Sequence, residues 1–219
     1  VQPVSHGQRA LWFLHQLAPE SAAYNLAFAA RLRSRSDARA IRAAFQAILD
    51  RHDVLRSTFH ERDGEPIRVV APRQDLAWEE VAVAGMDLDA IRERIVADSR
   101  RPFDLTTGPL FRVSLYTRAE DDRILLLTVH HSVFDARSLA VAFDEFVALY
   151  PAFLHGTAPR LPPATPYSDF ARWQADLVDS PEGERLARYW LDRLAGDLPV
   201  LDLPTDRPRP SVQTLRGGT

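Results

Sequence analysis

Arg123-Ile124-Leu125-Leu126-Leu127-Thr128-Val129-His130-His131-Ser132-Val133-Phe134-Asp135-Ala136-Arg137-Ser138 is the stretch on which the reading of this chain turns. The apolar run reads as a strand that delivers two adjacent imidazoles to its end, with a carboxylate four residues beyond the second. An imidazole that titrates near neutrality, held at a strand end beside a carboxylate, is what a proton-handling acyl-transfer site needs.

Working outward, Phe111 to Thr117 and Arg123 to Val129 flank a turn rich in Asp and Glu, which predicts an antiparallel pair. The helix after the histidines, near Arg137 to Tyr150, is expected to bury Leu139, Phe143, Phe146, Val147 and Tyr150. The histidines thus fall between a strand and a helix, where rigid elements commonly present functional groups. Upstream, Gln8 to Leu17 carries Leu11, Trp12, Leu14 and Leu17 on one apolar face and reads as the first helix. Tyr24 to Arg33 reads as a strand. Ser36 or Asp37 caps a helix in which Ile41, Ala44, Phe45, Ile48 and Leu49 share a face. Leu55 to Glu61 and Pro66 to Val70 form a hairpin around Arg62-Asp63-Gly64, and Asp87 to Arg101 forms a helix with Leu88, Ile91 and Ile95 inward. Two further helices, Ser168 to Val178 and Glu184 to Leu194, carry Trp173 and Trp190, and a Pro-rich extended passage runs from Leu198 to Pro210. Strand and helix periods alternate throughout, so the fold class is α+β, a mixed sheet with flanking helices.

With 219 residues, 46% hydrophobic and 26% charged, the chain can bury a proper core. A formal net charge of -3 gives no basic field for nucleic acid. The absence of cysteine rules out disulfides, thiolate nucleophiles and Cys-ligated zinc, and fits a reducing, cytoplasmic setting. No apolar stretch approaches the roughly 20 residues of a membrane span, so no membrane partner is expected. The start at Val1 and the end at Gly217-Gly218-Thr219 read as cut points, with more protein expected beyond.

Side chains of neighbouring strand residues point to opposite faces, so only one of His130 and His131 can address a given substrate atom while the strand persists; the other is structural. A metal reading is weaker, because adjacent ligands rarely converge on one ion and no third ligand has a suitable spacing. Asp135 has a plain alternative as the N-cap of the following helix. Arg51 and Arg56 can be read as solvated charges at a helix end. Trp12, Trp173 and the phenylalanines read as core residues rather than substrate contacts.

The stretch His130-His131-Ser132-Val133-Phe134-Asp135-Ala136 resembles the His-His-x-x-x-Asp-Gly (HHxxxDG) signature of the condensation domains of nonribosomal peptide synthetases, within the chloramphenicol acetyltransferase-like superfamily. Ser5-His6-Gly7-Gln8-Arg9-Ala10-Leu11-Trp12-Phe13-Leu14 resembles the family's opening block. Arg51 to Phe59 resembles its second block, and Tyr167 to Trp173 the block after the active-site motif. Pro102-Phe103-Asp104-Leu105 and Leu201-Asp202-Leu203-Pro204-Thr205-Asp206-Arg207-Pro208 also fit. The resemblance spans the chain but covers about half of a two-lobed domain. It implies an N-terminal lobe at residues 1-178, with 179-219 a helix and Pro-rich segment leading into a missing C-terminal lobe.

The resemblance implies that His131 is the catalytic residue, facing a tunnel where a donor acyl thioester and an acceptor amine meet. There it accepts a proton from the amine or steadies the tetrahedral intermediate. By the same resemblance His130 points into the fold, and Asp135 pairs with an arginine to hold the loop, Arg56 being one candidate and an arginine of the missing lobe another. No metal or directly bound cofactor is implied. Donor and acceptor peptidyl carrier proteins deliver 4'-phosphopantetheine arms, and adjacent synthetase domains are the other partners. The family glycine after the aspartate is Ala136 here, and if that position needs a positive φ the change costs about 1 kcal/mol. Amide bond formation is the leading function. An epimerisation domain, a stand-alone acyltransferase using coenzyme A thioesters, and a non-catalytic docking or recruitment domain compete with it. Residues 1 to 219 alone are expected to be inactive without the second lobe.

Overall fold

The computed structural model describes residues 1–208; the remainder of the Pro-rich passage, Arg209 and Pro210, and the terminal Gly217-Gly218-Thr219 lie outside the described residues. Helices begin where Ser or Asp can accept the third backbone N–H of the first turn. Ser5 caps α1 (His6–Leu17), Asp37 caps α2 (Ala38–Arg51), and Asp87 caps α3 (Leu88–Ser99). Asp135 caps α4 (Ala136–Leu154). By contrast, α5 (Tyr167–Val178) starts behind a proline without a side-chain cap, and Ser180 caps α6 (Pro181–Arg193).

Four strands form one sheet in the order β1-β6-β5-β4: β1 (Asn25–Leu32), β6 (Asp122–His130), β5 (Phe111–Ala119) and β4 (Ala77–Ala82). β1 and β5 flank β6 antiparallel, whereas β4 joins β5 parallel, so the sheet is mixed. A separate hairpin pairs β2 (Ser57–Arg62) with β3 (Glu65–Val70). Asp63 and Gly64 turn it, with φ values of 55° and 82°, as a two-residue hairpin loop requires.

Alternation along β6 sorts the two layers. Leu125, Leu127 and Val129 join Phe111, Val113 and Leu115 of β5 in the main core under α2 and α4. Leu126 faces the other way, with Tyr116, Val81 and Ile91, under α3. Buried on both faces, β6 is the middle of the structure, and its last residue is His130.

Several expectations are corrected. β4 is a strand that the sequence reading does not contain. On α4, Phe143 and Val147 are 64% and 55% exposed, and the buried face is Ala142, Glu145, Leu149 and Ala152. On α3, Leu88 is 48% exposed, because it is the first residue of the helix and lies before the turn that meets the sheet. Leu17, at the end of α1, is also exposed. Trp12 packs partly buried against the core, but Trp173 does not: α5 buries only Ser168 and Ala171, so its large side chains face outward. Phe13, Phe143 and Phe170 are likewise outside the core.

Candidate functional site

β6 ends because its hydrogen bonding ends. His130 N–H donates to the Leu110 carbonyl at 3.0 Å and His131 N–H to the Tyr24 carbonyl at 2.9 Å, after which a turn closes with Val133 N–H on the His130 carbonyl at 3.1 Å. The two imidazoles consequently occupy opposite environments. His130 is buried against the ring edges of Phe103 and His15, with centroids 6.1 and 6.5 Å away. Its Nδ1 accepts from Ser132 N–H at 3.2 Å and lies 2.8 Å from Ser132 Oγ, an arrangement for the neutral ring. Burial, reinforced by the neighbouring charges of His15 and His131, pushes its pKa down to about 4. His130 is uncharged at neutral pH.

His131 is exposed, and its Nδ1 lies 2.9 Å from the Phe134 carbonyl oxygen. A carbonyl can only accept, so Nδ1 carries the hydrogen. The chain therefore holds the ring by one nitrogen and leaves Nε2 without a protein partner among the described residues. Asp135 does not pair with Arg56. It caps α4, taking Ser138 N–H at 2.8 Å and Ser138 Oγ–H at 2.7 Å. Partial burial alone would raise its pKa, but the hydrogen bonds from Ser138, with smaller help from the charge of His131, hold the carboxyl below its ordinary range. Arg56 instead closes the end of α2, donating to the carbonyls of Leu49, Asp50 and Ala71 at 2.8, 2.6 and 3.1 Å. The first two of these carbonyls belong to the last turn of a helix, where intrahelical donors run out and a cation is welcome. Ala136 is the first residue of α4 and has no positive φ, so the alanine carries no backbone strain there.

One distant side chain, Gln8, bonds the loop directly, and further contacts tie the surrounding elements together. Ser5 and Gln8 form a capping box, and the Gln8 amide is used at both ends: Oε1 accepts from Ser5 N–H at 3.1 Å and Nε2 donates to the Ser132 carbonyl at 3.0 Å. Ser5 Oγ meets Tyr167 Oη at 2.9 Å, which brings α5 to the same knot. Beneath α4, the buried Glu145 carboxylate takes Arg51 Nε and His52 Nε2, each at 2.8 Å, while Arg51 also reaches the Pro162 carbonyl. Arg51 is thus an internal partner rather than a solvated charge.

The Ser-x-x-Gln spacing of the capping box is a sequence signal that could have found Gln8. Glu145 carries none, because its partners lie more than 90 residues away in the chain. Beside the loop, a cleft of about 320 Å³ opens between the end of α2, the start of α4 and the start of α5, with Val133 and Phe134 in its wall. Among the described residues no three His, Asp or Glu side chains converge as metal ligands would, and no helix is long and apolar enough to cross a membrane.

A family model, Condensation domain, matches residues 1–219. The chondramide synthase cmdD of Chondromyces crocatus is 39% identical over 222 residues, covering 99% of this chain and 6% of that protein. The X-domain solved in complex with OxyB from teicoplanin biosynthesis superposes with a TM-score of 0.83 at 29% identity, over 96% of this chain and 47% of that one. The starter condensation domain of rhizomide synthetase RzmA shares the fold, with a TM-score of 0.80 at 22% identity over 89% of this chain and 48% of the other. The chain therefore spans a small part of its curated relative and just under half of each solved chain.

Proposed function

Because this chain belongs to the condensation-domain family, we propose that it takes part in amide bond formation between a carrier-bound acyl or peptidyl thioester and a carrier-bound aminoacyl acceptor. The observation that carries this reading is the placement of His131: exposed, and fixed through Nδ1 by the Phe134 carbonyl so that Nε2 is the nitrogen left for substrate. The acceptor nitrogen attacks the thioester carbon and a C–N bond forms. Nε2 takes the proton that the nitrogen sheds. As the tetrahedral centre collapses the C–S bond breaks, and the proton passes to the departing sulfur, so His131 ends neutral. Much of the acceleration comes from holding two tethered substrates in line, since the thioester is already activated. His130, uncharged and packed, sets the loop rather than touching substrate.

The 4'-phosphopantetheine arms belong to the carrier proteins and reach the site with the substrates; neighbouring synthetase domains complete the set of partners. In this reading residues 1-178 are one lobe and 179-219 lead toward a second, without which turnover is weak. Cytoplasmic action, in keeping with the cysteine-free composition, is part of the same proposal.

The test loads donor and acceptor carriers, supplies them to the full-length protein and follows amide product by mass spectrometry. His131→Ala lowers the rate about 10²- to 10⁴-fold with the fold intact, as loss of a general base predicts. An unchanged rate would remove His131 from the chemistry. α-Proton exchange without amide product would indicate epimerisation, and efficient use of free coenzyme A thioesters a stand-alone acyltransferase. A recruiting role is the second reading, favoured by the likeness to an X-domain solved in complex with OxyB; partner binding with no amide product would select it.

A further inference from the structure

The cleft beside the motif loop shares only Phe134 with the hydrogen bond that fixes His131, and its character differs from the rest of the site. Its floor is Ile48, Leu55, Val133 and Phe134, each 5% exposed or less. At its mouth Val141 and Phe170 are 37% and 43% exposed, apolar surface that nothing among the described residues covers. The acidic and imidazole groups on its wall are already engaged: His52 is bonded to Glu145, and Asp53 lies 3.9 Å from the buried Arg68 guanidinium. At about 320 Å³ the space is at the small end for a ligand site, suited to one side chain rather than a whole substrate.

We propose that this cleft receives the side chain of the acceptor amino acid and selects a branched aliphatic or aromatic one. The proposal rests on the amide-forming reading. Phe134 supplies both the carbonyl that orients His131 and part of the cleft wall, so the two are neighbours. The acceptor nitrogen is the reacting atom that must touch His131 Nε2, and its side chain branches from the very next atom. The donor side chain lies beyond the forming bond, one atom further away. A charged side chain is disfavoured because the buried floor is apolar, and the guanidinium in the lining, Arg137, sits exposed to water at the rim.

The experiment uses the full-length protein with one donor and acceptor carriers loaded with alanyl, leucyl, phenylalanyl or aspartyl groups. The leucyl-to-alanyl rate ratio is read within each variant, so any general loss of folded protein cancels. The wild type favours leucyl and phenylalanyl over alanyl by about tenfold or more, the discrimination expected of an apolar pocket. Val141→Trp, which narrows the mouth from an exposed position, and Phe170→Ala, which removes a wall, each bring the ratio down by about fivefold or more. A second arm varies the donor side chain at fixed acceptor, and there the ratio of rates between donors is the same in both variants as in the wild type.

A wild-type ratio near unity overturns the proposal, as would result if another part of the protein fills the cleft. So does equal use of aspartyl and leucyl acceptors, or a change in donor rather than acceptor choice. Full activity in His131→Ala would sink the proton-transfer role without moving this ratio. Absence of amide from every substrate pair would sink both readings.

Discussion

Protonating His130 is penalised by the fold, and that penalty is measurable. The ordinary histidine pKa of 6.5 falls to about 4 in the folded state, chiefly through burial. Between those values the unfolded chain binds more protons than the folded one, so stability rises with pH across that window. The fold is therefore unpenalised above about pH 6.5, and the full penalty is in place below about pH 4. A shift of that size corresponds to about 3 kcal/mol, of which roughly 2 kcal/mol develops between pH 7 and pH 4.5.

His130→Asn is the matching perturbation, since the Asn carbonyl can take over acceptance of Ser132 N–H while the side chain cannot titrate. It costs some packing against Phe103 and His15, but that cost is independent of pH. The assay is urea unfolding of wild type and variant over a series of pH values, with the other titrating groups common to both. The wild type loses roughly 2 kcal/mol more than the variant on going from pH 7 to pH 4.5. Parallel stability profiles would refute the argument and show that the ring has a charged state the fold accommodates.

Glu145→Ala leaves the partly buried Arg51 and His52 without their carboxylate and lowers unfolding free energy by about 3 kcal/mol, with Glu145→Gln losing distinctly less, both read from urea midpoints. Ala136→Gly, which restores the family residue, gives no gain in amide-forming rate and lowers stability by up to about 1 kcal/mol, because the position is an ordinary first helical residue.

The legible parts of the fold were those in which sequence period and environment agree. β6 and β5 read as a pair because both are apolar around a charged turn, and period-two alternation already required the two imidazoles to part company at the strand end. β4 was not legible: Ala77-Trp78-Glu79-Glu80-Val81-Ala82 carries two adjacent carboxylates and lies at a sheet edge, and only its pairing with β5 makes it a strand. On α4 and α5 the apolar residues exceed one face, so composition could not say which face turns inward. α4 buries Glu145 because Arg51 and His52 wait for it, and exposes Phe143. The same reason hid the destination of Arg56. A guanidinium near a helix end can answer a distant carboxylate or local carbonyls, and the local carbonyls were closer.

The capping box that reaches the Ser132 carbonyl makes the first helix a bearing on which the reaction centre turns. Anyone splicing relatives of this chain would be tempted to join them in the exposed stretch after α1, yet that seam divides Gln8 from the turn it steadies and Ser5 from Tyr167. A foreign leading helix that seats its glutamine a little differently would tug the Ser132 backbone and, two residues on, the Phe134 oxygen that aims His131. Hybrids that inherit Ser5, Gln8, Ser132 and Tyr167 from one parent keep that aim; those that mix them put it at the mercy of the junction.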